Sequence, residues 1–216
     1  MLNTLKIKLY NEFCYAQLKD SQDSDLDKNV TEQVIRDYVE PLNLPKTASI
    51  RDIGSGRCYF LKKMRELGYT NLVGTGVLMN ELRYIQEQGF NLAKEDQQTF
   101  ENVQDEAIDF IFARQVLHLS PMPFFALMEW NHKLKLKAHA YVEVPAPAQT
   151  RQHEFGPGAW SVHTMEQWIA LFQKAGFEIV SNQQLNLELE NNETKEKFQD
   201  SHFAFVLRKQ RPIDSK

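Results

Sequence analysis

Cysteine is almost missing from this chain: Cys14 and Cys58 are the only two, too few for a disulfide framework or a zinc cluster. They read as two reduced thiols, which suits a reducing compartment. Long hydrophobic runs are missing too. No stretch approaches the length that spans a bilayer, and the first residues carry no hydrophobic signal core, so no membrane segment and a cytoplasmic location are expected. An excess of positive charge is also lacking. With 25 Lys and Arg against 29 Asp and Glu the net charge is -4, so no nucleic-acid or anionic-membrane partner is expected. Internal repeats and linkers are absent, and 216 residues suit one domain with a well-buried core.

What is present begins with Ile50-Arg51-Asp52-Ile53-Gly54-Ser55-Gly56-Arg57-Cys58. A short apolar strand ends in an acid, two glycines follow at spacing two, and an amphipathic helix opens directly after. Glycine accepts positive φ and lets backbone come close to a ligand, and a helix N-terminus presents N–H groups at the positive end of its dipole. Together they make a seat for the polar part of a nucleotide-like cofactor at the carboxyl end of a strand. The alternative is a bare strand-to-helix turn, with Asp52 a strand-end acid that fixes a neighbouring loop.

The rest of the chain alternates. Residues 1–29 form a polar and aromatic extension or lid, with the run Asp20 to Asp25 as a loop. Val30, Val34, Ile35, Tyr38 and Val39 recur at helical spacing until Pro41 and Pro45. Strands are expected at Ile50–Ile53, Leu72–Thr75, Phe90–Glu95, Ile108–Ala113, Ala140–Val144, Phe177–Val180 and His202–Leu207, with helices between the earlier ones. Residues 145–163, rich in proline, glycine and histidine, read as an ordered loop over a site. Glu188 to Gln199 reads as a charged, solvated connection. Thr164 caps a helix that Gly176 closes. This order predicts an open, mostly parallel α/β sheet over residues 30–210, with an antiparallel pair of C-terminal strands.

Asp52-Ile-Gly54-Ser-Gly56, Gly74 at the end of strand two, Asp96 after strand three, and Ile108-Asp109-Phe-Ile with Arg114-Gln-Val-Leu-His118 together resemble the class I S-adenosylmethionine-dependent methyltransferases. Tyr141-Val-Glu143-Val-Pro145-Ala-Pro147, with His153-Glu154 and Ser161-Val162, is similar to a subgroup of small methyltransferase domains. The resemblance runs from about Val30 to Arg208. It implies a Rossmann-like, doubly wound, seven-stranded sheet and S-adenosyl-L-methionine as cofactor. Asp52, Gly54 and Gly56 would line the methionine end, with Gly74 closing strand two. Asp96, with Gln97 beside it, would meet the adenine amino group, and Arg114 to His118 would face the methyl group and the acceptor. The implied reaction is methyl transfer to an O or N of a small-molecule acceptor. Histidine suits the base for that step because its pKa lies near neutrality, and His118 and His153 lead His163 as candidates.

The departures have meaning as well. Cys58 stands where the family often has a third glycine, and Lys137-Ala138-His139 where it commonly has two. The acid that usually ends strand two and holds both ribose hydroxyls is missing from Gly76-Val77-Leu78; Glu81 comes several residues later. These gaps motivate a second reading, a catalytically silent module acting through a protein partner. A dinucleotide oxidoreductase is disfavoured by Tyr59 where the phosphate turn wants glycine. A metal site built on His153 and Glu154 with Asp109 or Glu143 is disfavoured because adjacent residues rarely point at one ion, so no metal is expected.

Overall fold

The computed structural model describes residues 9, 12, 13, 16, 18, 25–94, 100, 103–147, 159–190 and 197–212. Helix α1 (Asp25–Val34) passes into a π-helical segment, Ile35–Val39, and a 3-10 turn, Glu40–Leu42, that accommodates Pro41 in its first positions. There follow β1 (Ile50–Asp52), α2 (Tyr59–Glu66), β2 (Leu72–Thr75), α3 (Met79–Glu87), β3 (Asn91–Ala93), β4 (Ile108–Arg114), a 3-10 turn at Leu117–Leu119, and α4 (Pro123–Lys133). The chain ends with β5 (Leu134–Pro145), α5 (Met165–Lys174), β6 (Phe177–Glu190) and β7 (Lys197–Lys209).

The seven strands lie in the order β3-β2-β1-β4-β5-β7-β6. β1 to β5 run parallel, and β7 is antiparallel to both β5 and β6. This is the doubly wound arrangement expected from the alternation. The order reverses between β1 and β4, so the carboxyl ends of those two strands flank the crevice.

β4 forms the spine because its apolar run can be buried on both faces: Phe110, Ile111, Phe112 and Ala113 are all at most 2% exposed. One face packs on α4 and α5 through Trp130, Trp168 and Phe172. The other packs on α1, α2 and α3 through Val34, Phe60, Leu61, Met64, Leu82 and Ile85. Phe60, Phe112 and Tyr141 stack as a column on that second face, with centroids 3.9 and 5.1 Å apart. The capping box at Thr164 and Gln167 starts α5 as expected.

Three boundaries differ from expectation. β5 begins at Leu134 rather than Ala140: Ile108 pairs with Leu134 but Phe110 already pairs with His139, so the extra residues are taken up in a bulge, with Lys137 at φ 66°. The last two strands also run far beyond the expected ends. Glu190 pairs with Lys197, so the outer parts of the expected charged connection, 188–190 and 197–199, are paired strand and only 191–196 lies outside the described residues. Third, α1 starts at Asp25, so the end of the expected 1–29 extension belongs to a regular helix.

Candidate functional site

Three backbone features shape the end of β1. Gly54 and Gly56 have φ of 67° and 45°, and Cys58, the residue before α2, has φ 59°. The turn is stitched to β2: the Ser55 amide donates to the Thr75 carbonyl at 2.9 Å, the Thr75 amide to Ser55 Oγ at 3.0 Å, and the Gly54 amide to Thr75 Oγ1 at 3.3 Å. The Cys58 amide donates back to the Ser55 carbonyl at 2.7 Å. The amides of Gly54, Ser55 and Cys58 therefore have protein acceptors already, and what the turn offers a ligand is mainly its exposed glycine surface and the groups beside it.

Beneath the turn lies Asp52, 4% exposed, its carboxyl pushed up to about 7 by burial although a hydrogen bond from Ser55 works against the shift. Cys58 is fully buried next to it. Burial first, and Asp52 second, push its thiol up to about 12, so it is unreactive packing. Gly54 and Gly74 differ in what they permit. A Cβ on Gly54 would sit 2.7 Å from Val116 Cγ2, whereas one on Gly74 would meet Leu61, Ser55 and Ile85 at 2.9–3.0 Å. Gly74 thus permits close packing of α2 and α3 on β2, while Gly54 lets the segment after β4 close onto the turn.

The carboxylate of Glu81 is the unexpected arrival. It sits in the first turn of α3, yet its side chain folds back over the end of β2, where Oε2 would lie 3.5 Å from a Cβ on Gly76. Its charge also helps to raise the Cys58 thiol. On the same side, Lys62 donates to the Tyr84 hydroxyl at 2.9 Å, and the Arg57 guanidinium lies 4.9 Å from the Tyr84 ring centre.

At the end of β4, His118 occupies the 3-10 turn and is 9% exposed. Its carbonyl accepts the amides of Trp160 and Ser161, each at 3.0 Å, and Ser161 Oγ donates to the Ser120 carbonyl at 2.6 Å. The return limb of the 145–163 loop is thereby fixed beside His118, as the sequence led one to expect for the part that is described. Trp160 stays 40% exposed and faces the ring of Phe13 at 6.4 Å. His163 lies edge-on to Trp168, and burial lowers its pKa. His153 falls outside the described residues, as do Asp96 and Gln97. Among the described residues, no three His, Cys, Asp or Glu side chains are grouped to hold a metal.

Arg114 reaches Glu143 on one side and α1 on the other. Its Nε lies 3.2 Å from both oxygens of Glu143, while Nη1 and Nη2 reach Asp27 Oδ1 and Nη1 reaches Thr31 Oγ1, all at 3.4 Å. Glu143 is fully buried and also accepts from Gln115 Nε2 at 3.1 Å and from the Tyr141 hydroxyl at 2.8 Å, with His202 Nδ1 at 2.8 Å. The other nitrogen of His202 is 2.9 Å from Asp200. Burial alone would raise Glu143, but the His202 hydrogen bond and the Arg114 charge win and hold it at about 2. Burial alone would lower His202, but Asp200 and Glu143 raise it.

This network was not assembled from the sequence, although it left a trace there: a glutamate inside Ala140-Tyr-Val-Glu-Val cannot be buried without cations. Glu143→Gln is expected to cost about 3–5 kcal/mol in urea unfolding at pH 7. A depressed carboxylate pKa adds stability above its unfolded value, so the gap between the two proteins should close as pH falls from 4.5 to about 2.

A family model described as a methyltransferase domain matches residues 26–182. No curated protein matches at a significant level. Solved structures do. A SAM-dependent methyltransferase from Archaeoglobus fulgidus is 17% identical with a TM-score of 0.65, over 84% of this chain and 94% of its own. One from Methanosarcina mazei is 17% identical with a TM-score of 0.59, over 80% and 97%. The [4+2]-cyclase SpnF is 16% identical with a TM-score of 0.67, over 91% and 85%. At these identities the structures share a fold with this chain, and one of them carries a different chemistry on it. The match to the family model covers most of the chain, and with it the chain belongs to the methyltransferase-domain family.

Proposed function

We propose that this protein is an S-adenosyl-L-methionine-dependent methyltransferase acting on an O or N of a small-molecule acceptor in the cytoplasm. The observation that carries the reading is the glycine turn after β1, at the switch point of the sheet, with the Glu81 carboxylate folded over the end of the neighbouring strand β2. The residues fit the cofactor: a carboxylate accepts two hydrogen bonds from a vicinal diol, and Glu81 brings one from the helix where β2 itself ends without an acid. S-adenosylmethionine, when bound, supplies a methyl group already activated as a sulfonium. The protein's share is then alignment and proton removal. Asp52, Gly54 and Gly56 serve the methionine end, Asp96 and Gln97 the adenine, and His118 or His153 takes the acceptor's proton. Arg114 supports the acceptor side through the network it anchors.

Calorimetry with S-adenosylhomocysteine tests the reading. Binding is expected for the native chain, and Glu81→Gln should weaken it at least tenfold, because a hydrogen bond to a charged group is worth about 1.5–3 kcal/mol. If the native protein gives neither heat nor thermal stabilisation at millimolar ligand, the enzyme reading fails and a silent module acting through a partner takes its place.

A further inference from the structure

Arg114 joins two unlike halves of the molecule. Its inner edge is held by a carboxylate with no solvent exposure, which is itself saturated by Gln115, Tyr141 and His202. Its outer edge meets α1, where the contacts lengthen to 3.4 Å and the Asp27 side chain is 53% exposed. An exposed ion pair of this kind is weak and salt-sensitive, whereas the inner one is not. Of the contacts Arg114 makes, the one to Asp27 is the weaker.

The helix is built for an opening there. At Val34 it leaves α geometry and enters the π segment Ile35–Val39, whose Ile35 and Val39 are fully buried and anchor it. Its first two turns bury less. Only Val30 and Thr31 among residues 25–33 are buried, and Thr31 is one of the two residues that touch Arg114. Those turns lie against α2 and beside the end of β4.

We propose that the first turns of α1 form a flap over the carboxyl ends of β4 and β5, hinged at the π segment and latched by Arg114 between Glu143 inside and Asp27 outside. Opening uncovers the outward donors of Arg114 on the acceptor side; that last assignment rests on the methyltransferase reading, but the flap itself does not. Arg114 and Asp27 are positioning residues in this scheme.

Hydrogen exchange on the intact chain, with and without S-adenosylhomocysteine, decides it. Asp27→Asn should speed exchange of amides 25–33 at least fivefold while those of Ile108–Arg114 stay unchanged. Raising NaCl from 0.1 to 1 M should speed the same amides in the native protein and leave the variant unaffected. Where S-adenosylhomocysteine binds, its association and release should both accelerate in Asp27→Asn. Unchanged exchange in α1, or equal acceleration in α1 and β4, would overturn the flap. Failure of the ligand to bind would count against the cofactor reading only, since the exchange comparison needs no ligand.

Discussion

Replacing Asp52 by asparagine is expected to make the protein more stable and less able to bind its cofactor. The carboxyl sits at 4% exposure with its pKa near 7 instead of 3.8, because burial disfavours the charge more than the Ser55 hydrogen bond favours it. A raised carboxyl pKa means that the folded chain holds a proton which the unfolded chain has lost. This contribution to stability is full below 3.8, declines as pH rises towards 7, and is gone above that. About three pK units correspond to about 4 kcal/mol at most. Since asparagine still buries a polar group, a gain of about 2–3 kcal/mol at pH 8, or roughly 5–10 °C in Tm, is expected for Asp52→Asn. The gain should vanish near pH 4. Binding should move the other way. In the site proposed here an ionised Asp52 would partner the cationic methionine end, so the native protein would release a proton on binding below pH 7. Affinity for S-adenosylmethionine at pH 5.5 should then be about 30-fold weaker than at pH 8, and level off above 7. In Asp52→Asn the pH dependence should disappear, leaving weak binding throughout. Calorimetry across that range, in buffers of different ionisation heat, measures both the affinity and the proton released. A flat profile in the native chain would separate Asp52 from the cofactor altogether.

The parts of the fold that were legible in the sequence are those where a local pattern and its tertiary use agree. β2 and β4 fell where they were expected, because an apolar run buried on both faces leaves little choice of register. The start of β5 was missed because Lys135 and Lys137 break its apolar pattern; Lys135 instead pairs with Asp109 at 2.8 Å along the sheet's lower rim. β6 was cut short for the opposite reason. Leu185 and Leu187 alternate with polar residues at strand period, but the uncharged polar run around them disguises them, and only their packing against the core on the α1 face shows their use. The site divides in the same way. Gly54 and Gly56 announced a turn of positive φ, which is a local property. Arg114's place at the end of β4 is local and legible, whereas its contact with Asp27, 87 residues away, follows from no spacing rule. Glu81 was visible as a late acid, but the fold-back that returns it to Gly76 depends on where α3 starts, which is the least certain kind of boundary to place from sequence.

Gly54→Ala should be among the most damaging single changes, and most of the damage should be reversible by one other substitution. Two separate costs meet at that position. At φ 67° an alanine pays for left-handed backbone, about 1–2 kcal/mol. Its Cβ would also lie 2.7 Å from Val116 Cγ2, closer than such atoms come, so Val116 must move or the turn must. Val116 cannot shift freely, since it follows Gln115, itself at φ 57° with its amide fixed to the Glu143 carbonyl at 2.8 Å. Overpacking of this kind adds about 1–3 kcal/mol, for a total of about 2–5 kcal/mol in Gly54→Ala. Val116→Ala alone should cost about 1 kcal/mol for the lost methyl contacts. In the double variant the overlap is relieved, leaving the backbone cost and the lost contacts, so the two changes should fall short of additivity by about 1–3 kcal/mol. Urea unfolding of the four proteins of this cycle measures that coupling. Strict additivity would mean that Val116 yields at no cost, and the glycine would then be needed for its φ alone. If the coupling is present, S-adenosylhomocysteine binding lost in Gly54→Ala should return, at least in part, in the double variant, because removing the overlap lets the turn resume the shape on which the crevice floor depends.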